Sequence, residues 1–125
     1  MYLGISTTEL IPGAVVTLDE LDISEGARAE AGGRGLITIR YTIDWSEEAA
    51  AEDVRGKALA WWLAIEDNLG TEYLDGLHVS SFSVPRSKGE LCFTPAPPKG
   101  VSQLKLIAAR YDAETTPAVE ERITL

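Results

Sequence analysis

The central stretch of the chain, Lys57–Tyr73, has the sequence KALAWWLAIEDNLGTEY and combines an apolar run with a turn signal. From Ala58 to Asp67 its side chains alternate, and successive side chains of a β-strand point to opposite faces of a sheet. One face would carry Leu59, Trp61, Leu63 and Ile65, and the other Ala58, Ala60, Trp62, Ala64 and Glu66. Asp67-Asn68-Leu69-Gly70 is typical of a hairpin loop, because Gly70 and Asn68 tolerate a positive φ. We therefore predict one long strand, a tight turn and the start of a return strand.

A helix is the competing interpretation of this stretch, because alanine and leucine favour helices and short apolar runs are ambiguous. Three observations favour the strand. The run is bounded by Gly56 and Gly70, its aromatic residues lie in the middle, and it ends in a hairpin signal.

The flanking sequence predicts more strands. Leu36–Trp45 alternates most clearly, with an apolar face of Ile37, Ile39, Tyr41, Ile43 and Trp45. Val15–Ile23 also alternates, but its apolar residues change face halfway, which predicts a β-bulge at Asp19-Glu20. After Trp45, Ser46 would cap a short helix that starts with two glutamates, and an irregular loop is the alternative.

The remaining predicted strands are short and separated by turn signals. We expect Phe82 and Val84 to face inward with Leu91 and Phe93, across a turn at Pro85–Gly89. Pro95–Pro98 is predicted to be a stiff link at an edge or between sheets, and the glycine-rich Ser24–Gly35 to be a mobile connection. The other predicted strands are Tyr2–Ser6, Val79–Val84, Glu90–Thr94, Val101–Tyr111 and Val119–Leu125.

Seven or eight strands with at most one short helix predict an all-β fold, an antiparallel sandwich that forms one domain over residues 1–125. A partly closed barrel is the alternative. The two runs AIEDNLGTEY and LCFTPAPPKGVSQLKL carry a resemblance that covers the second half of the chain. At Glu66–Tyr73, Phe93–Pro98 and Leu104–Leu106 the sequence resembles bacterial immunoglobulin-like modules. The resemblance implies an immunoglobulin-like sandwich that is often accessory or of unknown function, here without the cysteine pair of antibody domains.

Composition and charge argue against several classes of function. The 125 residues carry a net charge of −9, from 20 acidic and 11 basic side chains, which argues against binding to nucleic acid or to anionic lipid. Cys92 is the only cysteine, so an intrachain disulfide cannot form. The first residues do not resemble a signal peptide, and no window is apolar enough to span a bilayer. We expect a cytoplasmic protein if the chain is complete, and no location is predicted if it is a fragment.

Few residues suggest chemistry. His78 is the only histidine, so neither a histidine metal cluster nor a convincing triad with Asp75 and Ser80 or Ser81 is predicted. Cys92 should point away from Leu91 and Phe93 without a catalytic role. Gly32–Gly35 precedes a strand, whereas phosphate loops follow one, so we expect a flexible loop there.

The functional prediction is therefore an interaction or assembly module without catalytic residues or cofactors, whose partner is another protein or a second copy. Trp62 lies among alanines, and an exposed tryptophan there would be a binding anchor unless another segment, such as the N-terminal residues, covers it. The alternative is a calcium- or small-ligand-binding sandwich, with Asp44, Glu47 and Asp112 as candidate ligands from neighbouring loops.

Overall fold

The computed structural model describes residues 1–24, 35–51, 54–112 and 117–125. The connection predicted to be mobile lies outside these residues, apart from its two end residues, and so does most of the predicted Gly32–Gly35 loop. The described residues form two short helices, α1 (Glu47–Ala50) and α2 (Val54–Ala58). They also form eight strands: β1 (Tyr2–Thr7), β2 (Ala14–Ser24), β3 (Leu36–Trp45), β4 (Trp61–Asp67), β5 (Leu74–Ser81), β6 (Arg86–Thr94), β7 (Gln103–Arg110) and β8 (Val119–Thr124).

The strands form two antiparallel sheets. One has the order β1-β2-β3-β6-β5 and the other β4-β7-β8. The apolar faces of the two sheets share one core, so the predicted all-β sandwich is confirmed. The prediction of at most one short helix was wrong, because the described residues form two, α1 and α2.

Alternation along β3 and β2 is as predicted. The five inward residues of β3 are all buried, and Leu104, Leu106 and Ala108 face them from β7. The pairing of β2 with β3 shifts between Leu18 and Glu20, where the β-bulge was predicted. The extra residue brings Leu21 to the same buried face as Leu18. Apolar residues before and after the bulge therefore pack into the same core.

The predicted start of the long strand was wrong. Lys57 and Ala58 belong to α2, and Leu59 is exposed rather than part of the apolar face. The strand begins at Trp61, from which Trp61, Leu63 and Ile65 point into the core as predicted. The helix preference of the Lys-Ala segment therefore prevails up to Ala58, and the strand forms where the two tryptophans begin.

The predicted hairpin was also wrong. The chain does turn after Asp67, and Gly70 has the expected positive φ of 75°. However, β4 pairs with β7, whereas β5 pairs with β6 in the other sheet. The turn therefore carries the chain from one sheet to the other.

Asp67 holds this crossing turn together. Its Oδ1 accepts hydrogen bonds from the amides of Leu69 and Thr71, at 2.8 and 3.1 Å, and its Oδ2 accepts one from the Tyr73 hydroxyl at 2.6 Å. Partial burial alone would raise the pKa of Asp67. The hydrogen bonds from Thr71, Tyr73 and Leu69 outweigh this effect and lower the pKa from 3.8 to about 2. A carboxylate stabilised in this way contributes to folding only while it is ionised.

We expect Asp67→Asn to lower the free energy of unfolding by about 1 kcal/mol at neutral pH, a value reduced for solvent screening. Because the folded pKa lies below the unfolded value of 3.8, this difference should persist above pH 4 and shrink as pH falls toward 2. Urea unfolding of both proteins across this range measures it. Glu66→Gln, which removes the neighbouring exposed carboxylate, is the control. A difference between wild type and Asp67→Asn that does not depend on pH would contradict the role given to the charge.

The predicted turn at Pro85–Gly89 was placed too late. The loop spans 82–85, and β6 begins at Arg86. Phe93 is buried as predicted and Leu91 is half-buried, but Val84 is exposed, so it is not an inward residue. The link Pro95–Pro98 runs from β6 to β7 and therefore crosses between the sheets, one of the two positions predicted for it.

Candidate functional site

A cleft opens between the two sheets where the edge strands β4 and β5 lie side by side. It has a volume of about 110 Å³. Aromatic side chains from both sheets dominate its wall, beside one carboxylate and one imidazole. The lining residues are Trp61, Trp62, Leu63, Asp75, Gly76, His78, Leu91, Phe93 and Tyr111. We call this the edge cleft.

Trp62 lies in the wall of the edge cleft and is half-buried. Its neighbour across the strands is Ala109, and Ala64 follows on the same face of β4. Ala58 and Ala60, which were also predicted on this face, precede the strand, so the alanine surface is only partly as predicted. The N-terminal residues are not among those that line the cleft, because β1 pairs with β2 at the far edge of the other sheet. Whether Trp62 binds a protein stays a prediction.

His78 contacts Tyr41, not a serine. Its Nε2 forms a hydrogen bond of 2.5 Å with the hydroxyl of Tyr41, and the two rings are 5.7 Å apart. Burial lowers the pKa of His78 and raises the pKa of Tyr41 to about 12, although a hydrogen bond with Ser80 opposes the second shift. Both groups are therefore neutral at pH 7. The arrangement fixes the imidazole at the cleft through the Tyr41 hydroxyl.

Tyr41 connects the cleft to the core. Its ring meets that of Trp61 edge to face, with centroids 5.2 Å apart. It also lies over Gly89, its partner on β6, so closely that a Cβ on Gly89 would be 2.3 Å from the Tyr41 ring. The indole N–H of Trp61 is buried and has no hydrogen-bond partner among the described residues.

A bulge in β5 decides which side chains face the cleft. The pairing of β5 with β6 shifts by one residue between Asp75 and His78. Asp75 pairs with Phe93, and His78 pairs with Leu91. Because partners across strands share a face and Phe93 is in the core, both Asp75 and His78 face the cleft although they are three residues apart.

The outer face of β5 follows from the same bulge. Leu74 pairs with Thr94, and Val79 pairs with Glu90, whose carboxylate bonds to Arg40 on the outer surface. Leu74 and Val79 therefore share the outer face although they are five residues apart. Both are half-exposed, at 55% and 52% of their surface.

Sheet edges expose unpaired backbone groups, and proteins usually protect them with charges, prolines or bulges. In the part of the chain that the structure describes, β1, β5, β4 and β8 lie at edges. β8 carries three consecutive charged residues, and β1 is interrupted by a register shift and by Gly4 at a φ of 62°. β5 has the sequence LDGLHVSS, without lysine or proline, and its only charged side chain at neutral pH is Asp75. Apart from its bulge, β5 therefore has less of this protection than β1 or β8.

Two of the three predicted calcium ligands have other partners. Asp44 accepts a hydrogen bond of 2.7 Å from Arg86, and Asp112 forms two with Arg110, at 2.9 and 2.6 Å. Glu47 lies in the first turn of α1, where Ser46 is the N-cap as predicted. Within the described ranges, no three histidine, cysteine or acidic side chains are grouped so that they could hold a metal ion.

The acidic side chains of β2 are likewise occupied. Arg40 bonds to Glu90 at 3.0 Å and contacts Glu20 and Asp22, and Thr42 bonds to Asp19 at 2.6 Å. Apart from Asp22, these groups line a wider depression of about 490 Å³ on the outer face of the larger sheet. Its charges are mostly paired with one another, so it offers little to a charged ligand.

Cys92 points away from Phe93 as predicted. It is half-buried on the outer side of β6, with its Sγ 3.7 Å from the Thr38 hydroxyl.

The sequence pointed to Trp62 but missed the rest of the cleft. Trp62, His78 and Asp75 meet only because β4 and β5 enter different sheets, and Tyr111 joins them from the end of β7. The alternation on both sides of Asp75–His78 could have suggested the second bulge, as it did for Asp19-Glu20.

Comparison with protein families, curated proteins and solved structures found no match for this chain. No helix within the described ranges is long and apolar enough to cross a membrane.

Proposed function

We propose that this protein is a non-catalytic protein-interaction module that binds an extended segment of a partner along β5. The observation that carries the proposal is the exposed eight-residue edge, which bears Leu74 and Val79 on one face and opens onto the edge cleft on the other. Among the described residues β5 pairs with β6 alone, so its other side has backbone groups free for a new strand. Strand addition at such an edge combines backbone hydrogen bonds with side-chain pockets.

The edge cleft supplies the pocket. A strand added to β5 would direct every second side chain toward Asp75 and His78, and so toward Trp62 across the cleft. Tryptophan is enriched among residues that dominate binding energy, because it buries a large rigid surface. The unpartnered N–H of Trp61 is a further polar group that an occupant could satisfy.

We further propose that the whole chain is an immunoglobulin-like module of the bacterial type that its second half resembles. The strand order supports this. Without β1, the sheets β2-β3-β6-β5 and β4-β7-β8 correspond to the ABED and CFG sheets of a constant-type immunoglobulin domain. Trp61 lies on the third strand of that scheme, where such domains bury a tryptophan, and here it packs on Tyr41.

The experiment selects ligands from a display library of short random peptides, using the full chain as bait. Selected peptides should bind Val79→Lys at least about tenfold more weakly, because a lysine on an exposed edge opposes strand pairing. They should also bind Trp62→Ala more weakly, since the cleft loses its largest side chain. Both variants are first checked for an unchanged melting temperature.

The matched control is Val15→Lys, which places the same charge on an exposed valine of β2, an inner strand of the sheet. It should bind the peptides as wild type does. A library that yields no binders, or binders that do not distinguish Val79→Lys from Val15→Lys, would overturn the proposal.

A further inference from the structure

We propose that the segment that β5 binds is β5 of a second copy, so that two chains form an antiparallel dimer with one continuous sheet of ten strands. This inference rests on the proposed function and specifies its partner. A two-fold axis perpendicular to the sheet would pass between Gly76 and Leu77. Each residue of β5 would then pair with the residue of the second copy for which the two numbers add up to 153.

The β5 sequence is complementary to itself in this register. Leu74 lies opposite Val79 of the second copy on the outer face, where each is half-exposed in the single chain. Asp75 lies opposite His78 of the second copy on the cleft face. Symmetry repeats both pairs, so two apolar pairs and two polar pairs form at once.

The bulge makes this register consistent. In a regular strand, residues five apart lie on opposite faces and could not meet across a two-fold axis of this kind. Here the extra residue between Asp75 and His78 brings Leu74 and Val79 to one face. In the dimer the two bulges lie opposite each other at the axis. The paired residues on either side of the axis therefore still point to the same face of the sheet.

The polar pair is chemically matched. Nε2 of His78 is bonded to the Tyr41 hydroxyl, which leaves Nδ1 free to act toward the second copy. With Tyr41 as the donor to Nε2, the neutral ring carries its proton on Nδ1 and donates it to a carboxylate. Asp75 of the second copy provides that carboxylate, and Trp62 lies beside the pair in the cleft.

The expected dimer is weak and depends on salt. One added strand contact covers less than the roughly 1,200 Å² of stable interfaces, so association belongs to the transient class. Each chain carries a net charge of −9, and the resulting repulsion is screened by salt. Dimerisation should therefore strengthen as salt concentration rises.

Sedimentation velocity of the full chain over a wide concentration range tests the proposal. Wild type and Val15→Lys should dimerise equally, whereas Val79→Lys and Leu74→Glu should each dimerise at least about tenfold more weakly. The double variant Leu74→Glu/Val79→Lys should regain dimerisation, since each introduced glutamate then faces an introduced lysine.

A wild type that stays monomeric at every concentration and salt level would overturn the dimer, as would Val79→Lys that dimerises like wild type. Failure of the double variant to regain dimerisation would overturn this register. This outcome is distinguishable from failure of the proposed function. If the chain is monomeric but the selected peptides still require Val79, the dimer is overturned and peptide binding along β5 stands. If neither dimerisation nor peptide binding depends on Val79, both proposals are overturned.

Discussion

Phe93→Ala is expected to lower the free energy of unfolding by about 3–5 kcal/mol. Phe93 is 2% exposed and joins β6 to the common core beneath the edge cleft. Truncation removes the apolar surface of the ring and leaves a cavity that the rigid sheets cannot close. Denaturant unfolding monitored by tryptophan fluorescence measures the loss.

Cys92→Ala is the matched control, because Cys92 is the preceding residue on the opposite face of the same strand. It is half-buried and makes only a long contact to Thr38, so its truncation should cost less than about 1 kcal/mol. Equal costs at the two positions would contradict the assignment of the faces of β6.

Gly89→Ala is expected to lower the free energy of unfolding by about 2–3 kcal/mol, although it adds one methyl group. The new Cβ would lie 2.3 Å from the Tyr41 ring, which the core holds through its contact with Trp61. The ring must therefore move, and its hydrogen bond with His78 is lost. The melting temperature should fall by roughly 10 °C.

Gly76→Ala is the matched control, since Gly76 also lies in a strand and its nearest atom to an added Cβ, the Cys92 carbonyl oxygen, is 3.9 Å away. The free energy of unfolding of the Gly76→Ala variant should differ from that of wild type by less than about 0.5 kcal/mol. A double-mutant cycle gives the cause: in a Tyr41→Ala background, Gly89→Ala should cost little, because the ring it would strike is absent. An unchanged cost there would show that Tyr41 is not the obstacle.

The sequence predicted those features that depend on local pattern. The alternation of Leu36–Trp45 defined β3 to the residue, and the change of face within Val15–Ile23 located the bulge. An N-cap at Ser46 was one of the two interpretations of that segment and is the one observed; it could be proposed because capping involves only the next few residues. These features arise from contacts between near neighbours in the chain.

Features that depend on distant contacts were missed. The turn after Asp67 was visible, but a turn signal does not specify which sheet the next strand enters. Pro85 and Gly89 suggested a turn, whereas Gly89 lies inside a strand because Tyr41 occupies the space above it. The edge cleft was missed for the same reason, since Trp62 meets Asp75 and His78 only through the order of strands in two sheets.

Amide hydrogen exchange of β5, measured with and without its occupant, shows whether β5 is the edge that binds an added strand. The occupant is a selected peptide or, at high concentration, a second copy. We predict that the amides of Leu74–Ser81 that do not bond to β6 exchange rapidly in the free chain and slowly when the occupant is bound. The other edges, β1, β4 and β8, should keep their rates. Protection at one of those edges, with β5 unchanged, would contradict binding along β5.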